Sequence, residues 1–215
     1  MAFGFGIRIR SETGKIIYDS NEKVTCFLGS HRVQLTDSEI QVPIPGKNSV
    51  AFVRVDADYN SRFSRFHLRG YQKDGVYHLF SGGSPFPLTA VLYFFGTGTT
   101  GIKPRYGAIV RDENRNIIWS SLDTPLYLSS VSLWDAAVKP GTRLIADRAC
   151  ATVGEVFSYA SATDGYIECH AVGFSNGLYT TGKGDYAGDG SSLRPAGPLP
   201  LSGLPQPYIN TFVFD

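Results

Sequence analysis

Apolar residues in this chain come in short runs separated by polar or glycine-rich turns, and no stretch holds a helical period with caps at its ends. The runs predict strands. In the first part of the chain they are Ile7 to Arg10, Ile16 to Tyr18, Gln41 to Ile44, Ser49 to Val55, Arg65 to Arg69, Val76 to Phe80 and Val91 to Phe95. In the second part they are Ala108 to Arg111, Ile117 to Trp119, Thr142 to Ala146, Glu155 to Tyr159, Gly165 to Val172 and Thr211 to Phe214. Within Ser49 to Val55, residues Ala51, Val53 and Val55 share an apolar face, while Phe52 and Arg54 share the other. This pattern predicts a sheet with one buried face.

The pattern repeats. Gly6 to Ser20 lies over Gly107 to Ser121 without a gap, and six of the fifteen positions are identical: Gly6/Gly107, Arg10/Arg111, Glu12/Glu113, Ile16/Ile117, Ile17/Ile118 and Ser20/Ser121. Tyr18 and Trp119 put a large aromatic at one further position. Each copy reads as a β-hairpin, with Ser11 to Gly14 and Asp112 to Arg115 as the reversing turns. Both parts also end on aromatic runs, Val91 to Phe95 and Thr211 to Phe214. The expected fold class is therefore all-β: two similar antiparallel β-sandwich-like halves, each opening with a β-hairpin, plus a long Pro/Gly-rich loop. The expected domains are 1–96 and 107–215, joined by a linker at 97–106. The loop is 176–206, and five of the twelve prolines stand between Pro195 and Pro207. So long an aperiodic segment is functional or disordered more often than not. Its interleaved Leu199, Leu201 and Leu204 suit an arm laid on a neighbouring surface.

Composition narrows the class without naming a reaction. The 215 residues are 42% hydrophobic, 18% charged and 13% aromatic, with 24 Gly, 12 Pro and one Met, which fits a folded β protein. A net charge of +1 gives no general attraction to nucleic acid or to anionic membranes. The longest apolar run, Ala90 to Phe95, is strand-sized, and MAFGFGIRIR lacks the apolar core of a secretory signal. Three cysteines, Cys26, Cys150 and Cys169, suggest reduced thiols in a reducing cytoplasm, acting as small buried hydrophobes.

Candidate chemistry is sparse. Gly96, Gly98 and Gly101 match G-x-G-x-x-G, but Pro104 and a strand follow where a dinucleotide site needs a helix. Asp56-Ala-Asp-Tyr-Asn60 opens like a calcium loop, yet Ser61 replaces the turn glycine and His67 the bidentate glutamate. Asp185 and Asp189 offer oxygen ligands in a glycine-rich stretch on no stronger grounds. Cys169 and His170, with Cys150 before them, hint at a metal, but neighbours on a strand face opposite ways. His31, His67, His78 and His170 have no visible nucleophile or carboxylate partner, and no catalytic motif is present. A polysaccharide hydrolase needs only two carboxylates that meet in space. No metal, cofactor or catalytic residue is expected. Arg62, Arg65 and Arg69, interleaved with aromatics, and Arg194, Pro195, Leu199, Leu201 and Leu204 of the loop are the candidate subunit or partner contacts.

The opening Gly6-Ile-Arg-Ile-Arg-Ser-Glu-Thr-Gly-Lys-Ile-Ile-Tyr-Asp-Ser-Asn21 resembles the openings of small tail proteins of long-tailed bacteriophages. The ending Tyr208 to Asp215 is similar to their aromatic C-termini. The second copy departs from the pattern, since Arg115 stands where the turn glycine is expected. The resemblance implies a virion component made in the bacterial cytoplasm, not an enzyme. It would be a structural part of the tail tip or baseplate, bracing the tip or attaching fibres. It would bind other tail proteins as a homo-oligomer of three or six copies. The alternative is a receptor- or glycan-binding β module at the host surface, which exposed Trp119 or Trp134 or clustered tyrosines would favour. A polysaccharide hydrolase is the least favoured reading.

Overall fold

The structure, a computed structural model, describes residues 8–19, 25–36, 38–46, 49–56, 67–82, 88–112, 114–132, 143–146, 150–152, 156–161, 165–175, 177–182 and 205–215. Those residues are all-β, as the alternation predicts. The strands are β1 (Arg8–Arg10), β2 (Ile16–Asp19), β3 (Thr25–Leu35), β4 (Ile40–Pro43), β5 (Val50–Val55), β6 (His67–Lys73), β7 (Val76–Gly82) and β8 (Leu88–Thr97). They continue with β9 (Ile109–Arg111), β10 (Ile117–Ser120), β11 (Ser129–Ser132), β12 (Arg143–Ala146), β13 (Cys150–Thr152), β14 (Val156–Ser161), β15 (Gly165–Phe174), β16 (Gly177–Gly182) and β17 (Pro205–Asn210). A 3-10 turn, Thr211–Val213, follows β17.

The chain divides into two compact units, each drawn from separate stretches. The first comprises Met1–Gly29, Ile44–Val50 and Phe94–Tyr127; the second comprises Ser30–Pro43, Ala51–Tyr93 and Leu128–Asp215. Neither coincides with 1–96 or 107–215. Both copies of the repeated hairpin belong to the first unit.

The two hairpins match bond for bond. Arg10 opposes Ile16 and Ile9 opposes Tyr18, leaving Ile17 as a bulge; Arg111 opposes Ile117 and Val110 opposes Trp119, leaving Ile118 as the same bulge. Ser11 N–H donates to Lys15 O at 2.8 Å, and Asp112 N–H donates to Asn116 O at 3.0 Å. The Arg10 guanidinium donates to Gly14 O at 2.8 Å, and that of Arg111 donates to Arg115 O at 2.5 Å. Gly14 has φ 80° and Arg115 φ 67°, so both turns need a left-handed residue where only glycine is unstrained. In the second copy the repeated Gly/Ser pair has a packing reason as well. A Cβ at Gly107 would stand 2.1 Å from Ser121 Oγ, the oxygen that accepts the Ala108 N–H.

The second unit holds the larger core. In the largest sheet β5 pairs with β13, β8 and, by one parallel bridge, β15. Outward from these run β17 and β11 on one side and β16 and β12 on the other, with β14 on β15. Ala51, Phe52, Val53, Arg54 and Val55 are all buried, so β5 is covered on both faces and not on one as its alternation suggests. A separate three-stranded sheet runs β4-β7-β6. Its β6–β7 turn is Asp74-Gly75, both at positive φ, which is the tight two-residue hairpin geometry. Val42, Tyr77 and Leu79 are buried on one face of it. A Cβ at Gly70 would come within 1.9 Å of the Tyr77 hydroxyl, so the glycine makes room for that ring.

Two further expectations change. Thr211 to Phe214 is not a strand. The Asn210 side chain accepts the Phe212 N–H at 3.0 Å, which caps and turns the chain into the 3-10 turn. Of the aperiodic loop 176–206, residues 177–182 form β16 and Pro205 and Gln206 begin β17, while 183–204 lie outside the described residues.

Candidate interaction surface

In the first unit a buried carboxylate fixes an exposed segment. Asp123, 4% exposed, accepts the Thr100 N–H at 3.0 Å and its hydroxyl at 2.9 Å through one oxygen. Its other oxygen accepts the Ser120 N–H at 2.8 Å, at the end of β10. Farther on, Ser121 N–H donates to Ala108 O at 2.9 Å. The segment between these ties is thus held at both ends while its side chains face solvent. Ile102 is 57% exposed and Tyr106 82%. Ile118, Leu122 and Tyr127 in the same unit are also exposed large apolar residues. Single exposed apolar residues are ordinary; Ile102 and Tyr106 stand together on one segment tied at both ends, which makes that segment the candidate.

Arg10, Lys15, Lys103, Arg105, Arg111 and Arg115 are exposed, as is Glu12. Asp112 is half-buried and bonded to Asn116, whose hydrogen bond holds its carboxyl below the ordinary value. Arg105 lies over the Tyr106 ring, 5.4 Å from its centre, and Lys15 over Tyr127 at 4.6 Å. Aromatic rings carrying cations are a usual composition for protein contact surfaces. Cys26, 1% exposed, is a core residue: burial, with a smaller contribution from Asp123, pushes its thiol up to about 11, away from nucleophilic reactivity.

The second unit contains two polar clusters that the sequence does not announce. Arg54, 4% exposed, donates to Thr211 Oγ1 at 2.5 Å and to Asp215 Oδ2 at 2.6 Å. Tyr93 donates its hydroxyl to Asp215 Oδ1 at 2.5 Å, and the guanidinium lies 5.6 Å from the Tyr93 ring centre. Burial alone would raise the Asp215 carboxyl; the bonds from Arg54 and Tyr93 overcome it and hold the carboxyl below its ordinary value. Asp56, 3.9 Å from Arg54, pairs with Arg32 at 2.6 Å. This charge network keeps a buried cation compensated. In the second cluster His78 bonds Glu39 through Nδ1, Gln41 donates to Glu39 at 2.9 Å, and Tyr71 stacks on the imidazole with ring centres 4.6 Å apart. Register explains the row, since His78 opposes Gln41 on β4 and Tyr71 on β6. The bond from His78, then that from Gln41, holds the Glu39 carboxyl below its ordinary value.

Of the contacts expected from sequence, Arg62, Arg65, Arg194, Pro195, Leu199, Leu201 and Leu204 lie outside the described residues, and Arg69 is described only as a backbone position in β6 opposite Phe80. From the calcium-like opening, Asp56 is engaged with arginines and the rest is outside the described residues. Gly98 and Gly101 lead into the exposed segment and then β9, a strand. Among the described residues no group of three or more His, Cys, Asp or Glu could hold a metal ion, and no helix is long and apolar enough to cross a membrane. Trp119 is 5% exposed, and Trp134 is outside the described residues. The 101–106 segment carried no sequence signal beyond its Gly-rich composition, which reads as a linker. No family model matches this chain, and no curated protein and no solved structure matches it.

Proposed function

We propose that this chain is a structural, partner-binding β protein, a component of a bacteriophage tail tip or baseplate that braces the tip or attaches fibres through subunit contacts. The observation that supports a contact role is the pinned, solvent-facing segment of the first unit, where Ile102 and Tyr106 stand among Lys103 and Arg105. The tail assignment itself rests on the resemblance of the opening hairpin. Its doubling in the first unit, with the backbone hydrogen bonds of the turn repeated, is what a scaffold element used twice would look like. The glycan-binding alternative loses one of its platforms, because Trp119 is buried.

The test is protein mass spectrometry of purified phage particles, with copy number measured against the other tail proteins. A stoichiometric presence supports the proposal. Absence from particles, together with turnover of purified envelope polysaccharide, would replace it with the hydrolase reading.

A further inference from the structure

We infer that residues 212–215 are a strap, hinged at Thr211, that opens and closes on the folded second unit with the Asp215 carboxylate on Arg54 as its catch. All the groups involved belong to that one unit. Little apolar burial holds the segment. Phe212 and Val213 are 83% and 66% exposed, whereas Ile209 and Thr211 just before them are buried. β17 is paired along both edges, with β11 and with β13, and this carries the chain firmly as far as Asn210. Beyond it the backbone bonds are local: the Phe214 and Asp215 N–H groups donate to Thr211 O at 2.9 and 3.2 Å. Phe214 is half-buried, its ring centre 6.4 Å from that of Tyr93. Segments with few buried apolar contacts open locally, at a free energy below that of global unfolding.

The polar hold on the strap is concentrated at Asp215. Its Oδ2 accepts from Arg54 at 2.6 Å and from the Thr211 hydroxyl at 3.2 Å, and its Oδ1 accepts from the Tyr93 hydroxyl at 2.5 Å. The two sides of the ion pair differ in access to water. The Arg54 side chain is buried, while that of Asp215 is 40% exposed. Opening therefore gives up the pair but rehydrates a carboxylate that already touches solvent. It also lets water reach the Arg54 Nε–H, which is buried and has no hydrogen-bond partner among the described residues. A buried donor left unsatisfied is costly, so its hydration offsets part of what opening loses. Asp56, 3.9 Å from Arg54, stays in place as a counter-charge when the strap lifts.

The experiment is amide hydrogen exchange of the full chain, followed by NMR at several denaturant concentrations below the unfolding transition. In wild type the Phe214 and Asp215 amides exchange through an opening that denaturant does not promote, whereas the β17 amides exchange through one that it does. Asp215→Asn keeps the shape of the side chain and removes its charge; it speeds exchange at Phe214 about tenfold or more, the scale of a lost hydrogen bond to a charged group. That variant leaves a buried cation short of its partner, so a second one removes both charges, Arg54→Met together with Asp215→Asn. In the double variant Phe214 exchanges as fast as in the single one, while the β17 amides keep the protection they have in wild type. Exchange of Phe214 and β17 in one denaturant-promoted event in wild type would make the segment part of the core and overturn the inference. Phe214 protection that stays at the wild-type level in both variants would overturn it too, by placing the hold elsewhere than at Asp215.

Discussion

The hairpins Arg8–Asp19 and Ile109–Ser120 share a register, a bulge and a set of turn hydrogen bonds, and they differ at the residues that secure the turn. The first places Gly14 at the left-handed position and uses the Ser11 hydroxyl to accept the Lys15 N–H at 3.1 Å. The second places Arg115 there and uses the Asp112 carboxylate, which accepts the Asn116 N–H at 2.7 Å and its side-chain amide at 3.0 Å. A strained backbone with a charged acceptor thus reaches the same geometry as a relaxed one with a neutral acceptor. The comparison teaches that the Arg-to-carbonyl bond and the bulge define the motif, while the turn glycine is one solution among two.

The largest expected effect tests the buried side of the motif. Trp119→Ala should cost about 3–5 kcal/mol in urea denaturation, and Trp119→Tyr, which writes the first copy's residue into the second, about 1–2 kcal/mol. An equal cost for both would show that the indole is not simply filling volume. Next comes the turn. Gly14→Arg should destabilise by about 1 kcal/mol, and Arg115→Gly should stabilise by about 0.5–1 kcal/mol. If Arg115→Gly destabilises, the arginine is held by something beyond its turn. Arg10→Ala and Arg111→Ala should cost about 0.5–1 kcal/mol each, and unequal losses would break the equivalence of the two copies.

The smallest effect separates the copies by pH. The Asp112 carboxyl is held below its ordinary 3.8, so its contribution is complete above that value and is lost as pH falls through the lower, folded value. Ser11 does not titrate. Amide hydrogen exchange at Asn116 should therefore lose protection on acidification below the ordinary carboxylate range while Lys15 keeps its own. Parallel loss at both amides would place the acid sensitivity elsewhere.

Local pattern made much of the fold legible. The hairpin strands, β4, β5, β7 and β15 stand close to where alternation and turn residues put them, because those signals are set within a few residues. Asp74-Gly75 is a hairpin signal of the same kind. β3 was not legible, since Gly29-Ser30 in its middle reads as a turn although the strand passes through it. Arg54 was misjudged for a different reason. Period two puts it with Phe52 on the face opposite the apolar one, and partners 157 and 161 residues away make its burial tolerable. The tied, exposed segment was hidden likewise: Gly-Thr-rich sequence reads as a linker until Asp123 is seen to bind it from beyond β10. Interleaving of the two units has the same non-local origin, with strands such as β8 passing from one to the other.

Arg54 and its carboxylate also set an order of events. At about 5–20 residues per second, a ribosome delivers Asp215 roughly 8–30 s after Arg54. Throughout that interval Arg54 has Asp56 nearby but lacks the Thr211 hydroxyl and the Asp215 carboxylate that it binds in the finished unit. β17, which pairs with β11 and β13 and leads directly into Thr211 and Asp215, is then the closing piece of the second unit. Completion of that unit is thus tied to a late arrival.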